Sequence, residues 1–357
     1  MNTLDNSIVL VGGYGVVGAQ LAALLAEHHP NLNVVLAGRN PSATTVNGFA
    51  TVQLDCSQPI PLSAVQGCPQ AVVSLANDPD DYLLMDCAER GIAYLDITRW
   101  TERLQRSCQY LEQQTLKAPV LLSSGWMGGV AAIASAALAS GLSELESVDI
   151  DILFYMKDRA GPNSVEYIDQ LAKPYAVQQQ GQVQTIQPLS RGRTAAFSSG
   201  KRRRVYAFDT PERQTLLQTL GSAGAISRIG FDSRFTTYFL VFLKRFGILK
   251  ALSGDRFRGL RRALLHSPGN GAPHELVVSV KGRSTEGVVV SRSLNIVDPL
   301  GQTHMTACGA FIQLERLLNL DGLGELSHRL HYPEQHASPT AALKRLGELG
   351  VNADKPM

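Results

Sequence analysis

The pattern with the clearest chemical use lies near the N-terminus, in Ile8–Gly18 (IVLVGGYGVVG). An apolar run is followed by Gly12 and then by Gly13-Tyr14-Gly15-Val16-Val17-Gly18, a G-x-G-x-x-G that opens a helix-forming stretch. In that setting the first motif glycine permits a tight turn and the second lets a pyrophosphate approach the backbone. The third lets helix and strand pack closely, with the phosphates resting on the helix N-terminus. The nucleotide is then selected at the end of the next strand. An NAD site usually places a carboxylate there to accept from the ribose hydroxyls. Here the chain reads Val34-Val35-Leu36-Ala37-Gly38-Arg39-Asn40, with no acid, and the guanidinium of Arg39 is placed to clamp a 2′-phosphate. Asn40 and Ser42 add possible phosphate contacts. Asp55 closes a third strand, where it either caps the adenine amine or starts a turn. Asn77 follows a fourth strand and is a candidate for the cofactor ribose or amide. The cofactor expected from these residues is NADP.

Hydride chemistry also needs a group that trades a proton with the substrate. The strand C-termini offer Asn77 and Asp78, then Asp96, Thr98 and Arg99, then Ser123, Ser124 and Trp126. Asp96 is the candidate for a catalytic or orienting carboxylate, with a structural turn acceptor as the alternative. No metal is expected. His328, His331, Glu334 and His336 lie close in sequence but lack the context of a zinc site, so a surface role is expected for them. No G-x-S-x-G supports serine nucleophilic catalysis.

These residues need a scaffold, and the N-terminal third supplies its signature. Short apolar runs at Ile8–Val11, Asn33–Ala37, Ala50–Leu54, Ala71–Ala76, Ala93–Thr98 and Pro119–Ser123 alternate with helical patterns at Val16–Glu27, Asp80–Arg90 and Thr101–Leu116. Continuous apolar strands separated by helices predict a parallel sheet covered on both faces, and right-handed crossovers make it a doubly wound Rossmann domain. Beyond about residue 145 the pattern becomes alternating. Val148–Met156, Leu276–Val280, Gly287–Ser293 and Leu294–Asp298 read as antiparallel strands, Thr210–Ala223 and Thr236–Leu252 as helices, and the Gln-rich Gln178–Gln184 as a hairpin tip or loop. The expected fold class is α/β: a Rossmann domain over 1–143, a substrate and dimerisation α+β domain with a mainly antiparallel sheet over 144–318, and a C-terminal segment over 319–357 packing back on the first domain.

The charge is divided along the chain. Its net charge is +2, which gives no nucleic-acid signal. Residues 1–143 carry 6 Lys/Arg against 11 Asp/Glu, and residues 144–357 carry 27 against 20, so an acidic half precedes a basic one. The basic surplus is concentrated in Ser190–Val205 and Tyr238–Leu265. The second is also rich in Phe and Leu, in the manner of an interfacial amphipathic segment. A solvated face or oligomer seam is the main reading of these clusters; an anionic substrate, an acyl carrier or acidic lipid headgroups are the other. The five cysteines (Cys56, Cys68, Cys87, Cys108, Cys308) show no CxxC pair and fit reduced thiols in a cytoplasmic protein. Neither uncharged stretch reads as membrane-spanning: Asn6–Ala26 lacks a basic start, and Ala118–Ser143 is broken by Ser-Ser-Gly and Gly-Gly.

Four segments in order resemble the saccharopine dehydrogenase-like NADP-dependent oxidoreductases. They are VLVGGYGVVG…VVLAGRN, CAERGIAYLDITRW (Cys87–Trp100), the stretch from VKGRSTEGVVV to FIQLERLL, and YPEQHASPTAALKRLGELGV (Tyr332–Val351). The resemblance covers both ends of the chain well and residues 155–270 poorly. It implies an NADP(H)-linked oxidoreductase, often acting at a carbon–nitrogen centre, with relatives that reduce carbon–carbon double bonds in lipids. It also implies that the Tyr-x-Asp ending in Asp96 faces the cofactor. One departure is informative. Saccharopine-forming members carry Asp-Pro-Gly after the sixth strand, whereas this chain reads Ser124-Gly125-Trp126-Met127-Gly128-Gly129, which argues against a dicarboxylic substrate of that kind.

The expectation is hydride transfer between NADP(H) and a small-molecule substrate, anionic and acyl-linked compounds being among the candidates. The second domain would choose the substrate, and a homodimer is expected from the family. Two alternatives stand beside it: a membrane-peripheral reductase of an acyl, enoyl or other apolar substrate with weak affinity for anionic membranes, and a non-catalytic NADP-binding sensor or subunit.

Overall fold

The computed structural model describes residues 4–41, 45–158, 171, 173–179, 181–248, 269 and 271–354. The chain forms two compact units. One comprises residues 1–129 and 306–337, the other 130–305 and 338–357.

The first unit is built on an eight-stranded sheet. Its strands are β1 (Ser7–Val11), β2 (Asn33–Gly38), β3 (Thr45–Val46), β4 (Phe49–Gln53), β5 (Ala71–Ser74), β6 (Ala93–Asp96), β7 (Val120–Leu122) and β16 (Leu330–His331). They lie in the order β16-β7-β6-β5-β1-β2-β4-β3 and are parallel throughout, apart from the β3–β4 hairpin at the edge. β1 is buried on both faces along its whole length, which is why its five residues are an unbroken apolar run apart from Ser7. β1 lies between β2 and β5, so the connection after β2 runs to one side of the sheet and the later strands build the other. This reversal opens a crevice beyond the C-terminal ends of β1 and β5.

Helix α1 (Val16–His28) buries Gly18, Leu21, Ala22 and Leu25, a spacing that makes one helical stripe. The Phe311 ring lies against the His28 and His29 rings, and His29 Nε2 meets Glu315 Oε1 at 2.8 Å. Helix α2 (Tyr82–Arg90) is stopped by Gly91 at φ +71°, whose amide bonds back to Ala88 O, and the chain turns directly into β6. Helix α3 (Thr101–Glu112) follows β6.

The second unit carries a seven-stranded sheet of β8 (Leu142–Phe154), β11 (Arg193–Ala196), β12 (Arg202–Phe208), β13 (Ala225–Phe231), β14 (His274–Ser284), β15 (Val289–Asp298) and β17 (Asn352–Asp354). Its order is β11-β12-β13-β8-β14-β15-β17, antiparallel except for the β13–β8 pair. A separate hairpin joins β9 (Tyr175–Gln179) to β10 (Gln182–Ile186). Along β8 the alternation has a physical partner on each side. Val148, Ile150 and Ile152 are buried, while Asp149 and Asp151 of the opposite face pair with Arg193 and Arg228. The Ala-rich helix α4 (Val130–Ala139) packs on β14 and against the helix Pro339–Glu348.

The unit boundaries correct the expected ones in two ways. α4 belongs to the second unit, because its small side chains fit the antiparallel sheet. The segment 319–357 divides: residues up to 337 complete the first unit through β16, while the last helix and β17 join the second, β17 pairing with β15. The expected strands Gly287–Ser293 and Leu294–Asp298 are one strand, β15. Much of the basic cluster Ser190–Val205 is strand, in β11 and β12. Its residues read as a charge run because one face of β12 is solvated: Arg202 and Arg204 are exposed while Val205 and Ala207 are buried. The expected helix Thr236–Leu252 is described as Arg234–Arg245, and Leu249–Leu265 of the basic segment lies outside the described residues. No helix among the described residues is long and apolar enough to cross a membrane.

Candidate nucleotide site

The glycine loop sits at the crevice, and its geometry explains each glycine. The tight turn falls on Gly12, at φ +86°, one residue before the motif proper. Gly12 donates to Ala37 O at 2.8 Å and lies against the backbone of Leu75 and Ala76, so β1, β2 and β5 are tied together at their C-termini. Gly18 lies where a Cβ would come 2.6 Å from Gly12 O and Gly13 Cα; the first turn of α1 therefore touches the loop directly. Gly15, the residue before the helix, is exposed, and a Cβ there would meet only Gly12 O, at 3.1 Å. No side chain caps α1 and no acid stands in its first turn. Exposed N–H groups with the positive end of a helix dipole behind them make an anion site, and this one fits a pyrophosphate. Gly18→Val is expected to abolish nucleotide binding or the fold of the unit, read by cofactor titration beside a thermal melt.

Gly38 and Tyr14 form a second close contact. A Cβ on Gly38 would come 2.7 Å from both Cε2 and Cζ of the Tyr14 ring. Among the described residues the Tyr14 hydroxyl has no hydrogen-bond partner, and burial pushes its pKa up. Arg39 and Asn40 follow directly and are exposed; Ser42 lies outside the described residues. Asp55, beyond β4, accepts from the Ser57 amide at 3.0 Å and hydroxyl at 2.8 Å. Those bonds, with Arg39 adding attraction, hold its carboxyl below the usual range. Asp55 thus makes the turn it was expected to make if it did not cap the adenine. Gly13, Val16 and Val17 complete the loop with Gly12, Tyr14, Gly15 and Gly18.

On the other side of the crevice the polar residues form a buried network. Arg99 is wholly buried. It contacts Asp81 Oδ1 at 2.5 Å, donates to the Tyr94 hydroxyl at 3.2 Å and reaches Asp96 Oδ2 at 3.4 Å. Asp96 is itself inaccessible: it accepts from Ser124 Oγ at 2.6 Å, Thr98 N at 2.9 Å and Tyr94 Oη at 3.1 Å. Burial pushes the Asp96 carboxyl up, but Arg99, Arg103 and the Ser124 and Thr98 donors outweigh it and hold it below the usual range. Asn77 accepts from Arg103, which also donates to Asp78 O, while Arg106 Nε donates to Asp81 Oδ2 at 3.0 Å. Asp78 caps α2 by accepting from Tyr82 N and Leu83 N, both at 3.1 Å. Burial pushes its carboxyl up to about 6, with Arg99 pulling the other way.

Asp96 was expected as a catalytic or orienting carboxylate or else a structural turn acceptor, and its bonds in this structure are those of an acceptor within the scaffold. Its donors and Arg99 leave the Asp96 carboxylate no exposed surface. Sequence reading missed that Asp81, Arg103 and Arg106 belong to the same cluster. A signal existed: Arg99, Arg103 and Arg106 are spaced to share one face of a helix entering α3, opposite the acid-rich run Asp78–Asp81. Trp126 is buried. His331 Nε2 lies 2.9 Å from Ser327 O and His336 Nε2 lies 3.7 Å from Asp321. Among the described residues no group of three or more His, Cys, Asp or Glu could hold a metal ion. Ser124→Ala is expected to cost about 1–3 kcal/mol of stability, because the buried Asp96 oxygen loses its shortest donor. Chemical denaturation checks this.

A doubly wound domain with an open helix N-terminus at its switch point, joined to a mainly antiparallel α+β unit, defines the class: two-domain proteins that bind a nucleotide cofactor. Residues 8–120 match the saccharopine dehydrogenase NADP binding domain. Saccharopine dehydrogenase (L-Glu forming) from Saccharomyces cerevisiae, solved in its apo form, aligns over 99% of this chain and 100% of its own, with TM-score 0.66 and 12% identity. More distant is dihydrodipicolinate reductase from Paenisporosarcina sp. TG-14, solved with dipicolinate (TM-score 0.42, 12% identity, 92% of this chain and 97% of that one). No curated protein matches the sequence. The family match lies in the nucleotide unit, and the chain has the saccharopine dehydrogenase fold.

Proposed function

We propose that the protein is an NADP(H)-dependent oxidoreductase of the saccharopine dehydrogenase-like type, moving a hydride to or from a small substrate. The observation that carries the cofactor choice is the end of β2. The residue that would bear the NAD-type carboxylate is Gly38, covered by the Tyr14 ring, and the next residue is an exposed arginine. Arg39 and Asn40 would hold the 2′-phosphate, the α1 N-terminus and Gly15 the pyrophosphate. The cofactor, when bound, would supply the hydride in its reduced form or accept it in its oxidised form. The buried Asp96–Arg99–Asp81 network serves to position: it fixes the Thr98 backbone and the Ser124 hydroxyl at the strand ends, where the crevice lies.

A second reading, a nucleotide-binding protein without turnover, draws on the burial of Asp96, which removes the clearest candidate acid. The two readings separate in one assay series. Fluorescence titration is expected to show NADPH binding at least tenfold tighter than NADH, and equal or reversed affinities would refute the cofactor choice. Following NADPH absorbance over imines, 2-oxoacid–amine pairs and enoyl compounds then tests catalysis. Consumption of NADPH with one of these classes supports the enzyme and names its substrate chemistry; tight NADPH binding with none consumed favours the second reading.

A further inference from the structure

The helix Arg234–Arg245 in the second unit carries a feature the nucleotide chemistry does not use. Its inner side is well fixed. Ser233 caps it by accepting from Thr236 N at 3.2 Å, Thr237 Oγ1 accepts from Phe231 N at 3.0 Å, and Thr237 and Leu240 are buried. The helix packs on β12 and β13. Its outer side is aromatic. Phe235 is 77% exposed, Tyr238 54%, Phe239 46%, Phe242 51%, and Phe246, just past the helix end, 63%. Positions 235, 238, 239, 242 and 246 follow helical spacing, so they form one stripe. The Phe235 and Phe239 rings stack at 5.7 Å, and those of Phe242 and Phe246 lie at 4.4 Å. A contiguous apolar patch of this kind on a soluble surface marks a contact site.

Its charge says what it contacts. Residues 233–248 contain Arg234, Lys244 and Arg245 and no acid. At the N-terminal end Arg203 of β12 donates to Asp232 O, adding a cation beside the stripe. We infer that this stripe is an interfacial helix that seats the protein on an anionic lipid bilayer, with the rings entering the headgroup boundary and the arginines and Lys244 meeting lipid phosphates. A second copy is the poorer occupant. A two-fold contact would set this cationic face against itself, with Asp232, whose Oδ1 accepts from Met156 N, as the one acid in residues 232–248. The chain that follows has the same sign, with Lys250, Arg256, Arg258, Arg261 and Arg262 against Asp255. The inference is independent of the cofactor reading and concerns a different surface.

Flotation of the full-length protein with vesicles tests it. Phosphatidylcholine vesicles containing phosphatidylglycerol are expected to carry the protein at low salt. Pure phosphatidylcholine is expected to bind at least tenfold less, and high salt to release it. Phe235→Ser/Phe239→Ser/Phe242→Ser is expected to abolish flotation with the thermal melt retained. Arg234→Glu/Arg245→Glu, which leaves the rings intact, is expected to weaken it roughly 25-fold, at about fivefold per cation lost. No flotation on anionic vesicles overturns the inference. So does binding that survives both variants, or a self-association that the serine variant abolishes while vesicle binding is absent.

Discussion

Replacing Arg39 by Asp is expected to lower NADPH affinity by roughly ten- to a hundredfold while leaving NADH affinity the same or better. A guanidinium–phosphate hydrogen bond contributes about 1.5–3 kcal/mol, which converts to that range. The reversed charge adds repulsion toward the 2′-phosphate and none toward a ribose hydroxyl. The neighbouring position behaves differently. Gly38→Asp would place the NAD-type carboxylate where sequence logic asks for it, yet its Cβ would collide with the Tyr14 ring. That substitution alone is expected to weaken both cofactors. Tyr14→Ala/Gly38→Asp clears the space and is expected to bind NADH more tightly than the single variant by at least tenfold. Titration of each variant with both cofactors reads the result. A Gly38→Asp protein that already prefers NADH would show that Tyr14 sets no barrier. The coupling matters because changing the acid site alone is then not enough to convert the cofactor preference.

Arg99→Met is expected to destabilise the first unit by about 3–5 kcal/mol, the range for breaking a buried ion pair by removal of one partner. For a unit of this size that corresponds to a fall in Tm of roughly 6–20 °C. The cause is specific. Arg99 is the largest of the charges compensating the wholly buried Asp96, ahead of Arg103, and it shares Asp81 with Arg103 and Arg106. The pH dependence distinguishes this from a packing defect. In the native protein Asp96 is held below its unfolded value, so its stabilisation is present above about pH 4 and is lost as pH falls through the folded value. Without Arg99, burial governs and the carboxyl rises above its unfolded value. The folded variant then binds the proton more tightly than the unfolded chain, so its stability improves as pH falls. The deficit relative to the native protein is expected to be greatest near pH 7 and to shrink toward pH 4. A deficit constant across that range would mean that lost packing, not charge, explains the variant.

Much of the nucleotide domain was legible because its strands are buried on both faces. β1, β2 and β5 must be nearly all apolar, and glycines must follow β1 where α1 starts, so order and role could be read together. The second unit was harder. Its charged residues pair across strands: Arg193 and Arg228 reach Asp149 and Asp151 from β11 and β13. Locally Arg193 looks like part of a basic surface run; the β11–β12 hairpin and its pairing with β13 make that run sheet. The chain's end showed the same limit. Residues 319–357 were expected to pack back on the first domain, but β16 extends that domain's sheet while β17 extends the other.

By itself the sequence determined the phosphate loop, the missing acid at position 38, the arginine beside it, and the division into an acidic nucleotide half and a basic remainder. These are local properties, set by which residue types can occupy a strand–glycine–helix turn and by counting charges. Tertiary structure decided the rest. It moved the positive-φ turn to Gly12, put the Tyr14 ring over Gly38, and closed Asp96 inside a cage of Arg99, Ser124, Thr98 and Tyr94. Residues 14 and 38, or 96 and 124, meet only when strands and loops distant in sequence are brought side by side, and burial then sets which partners a carboxylate has.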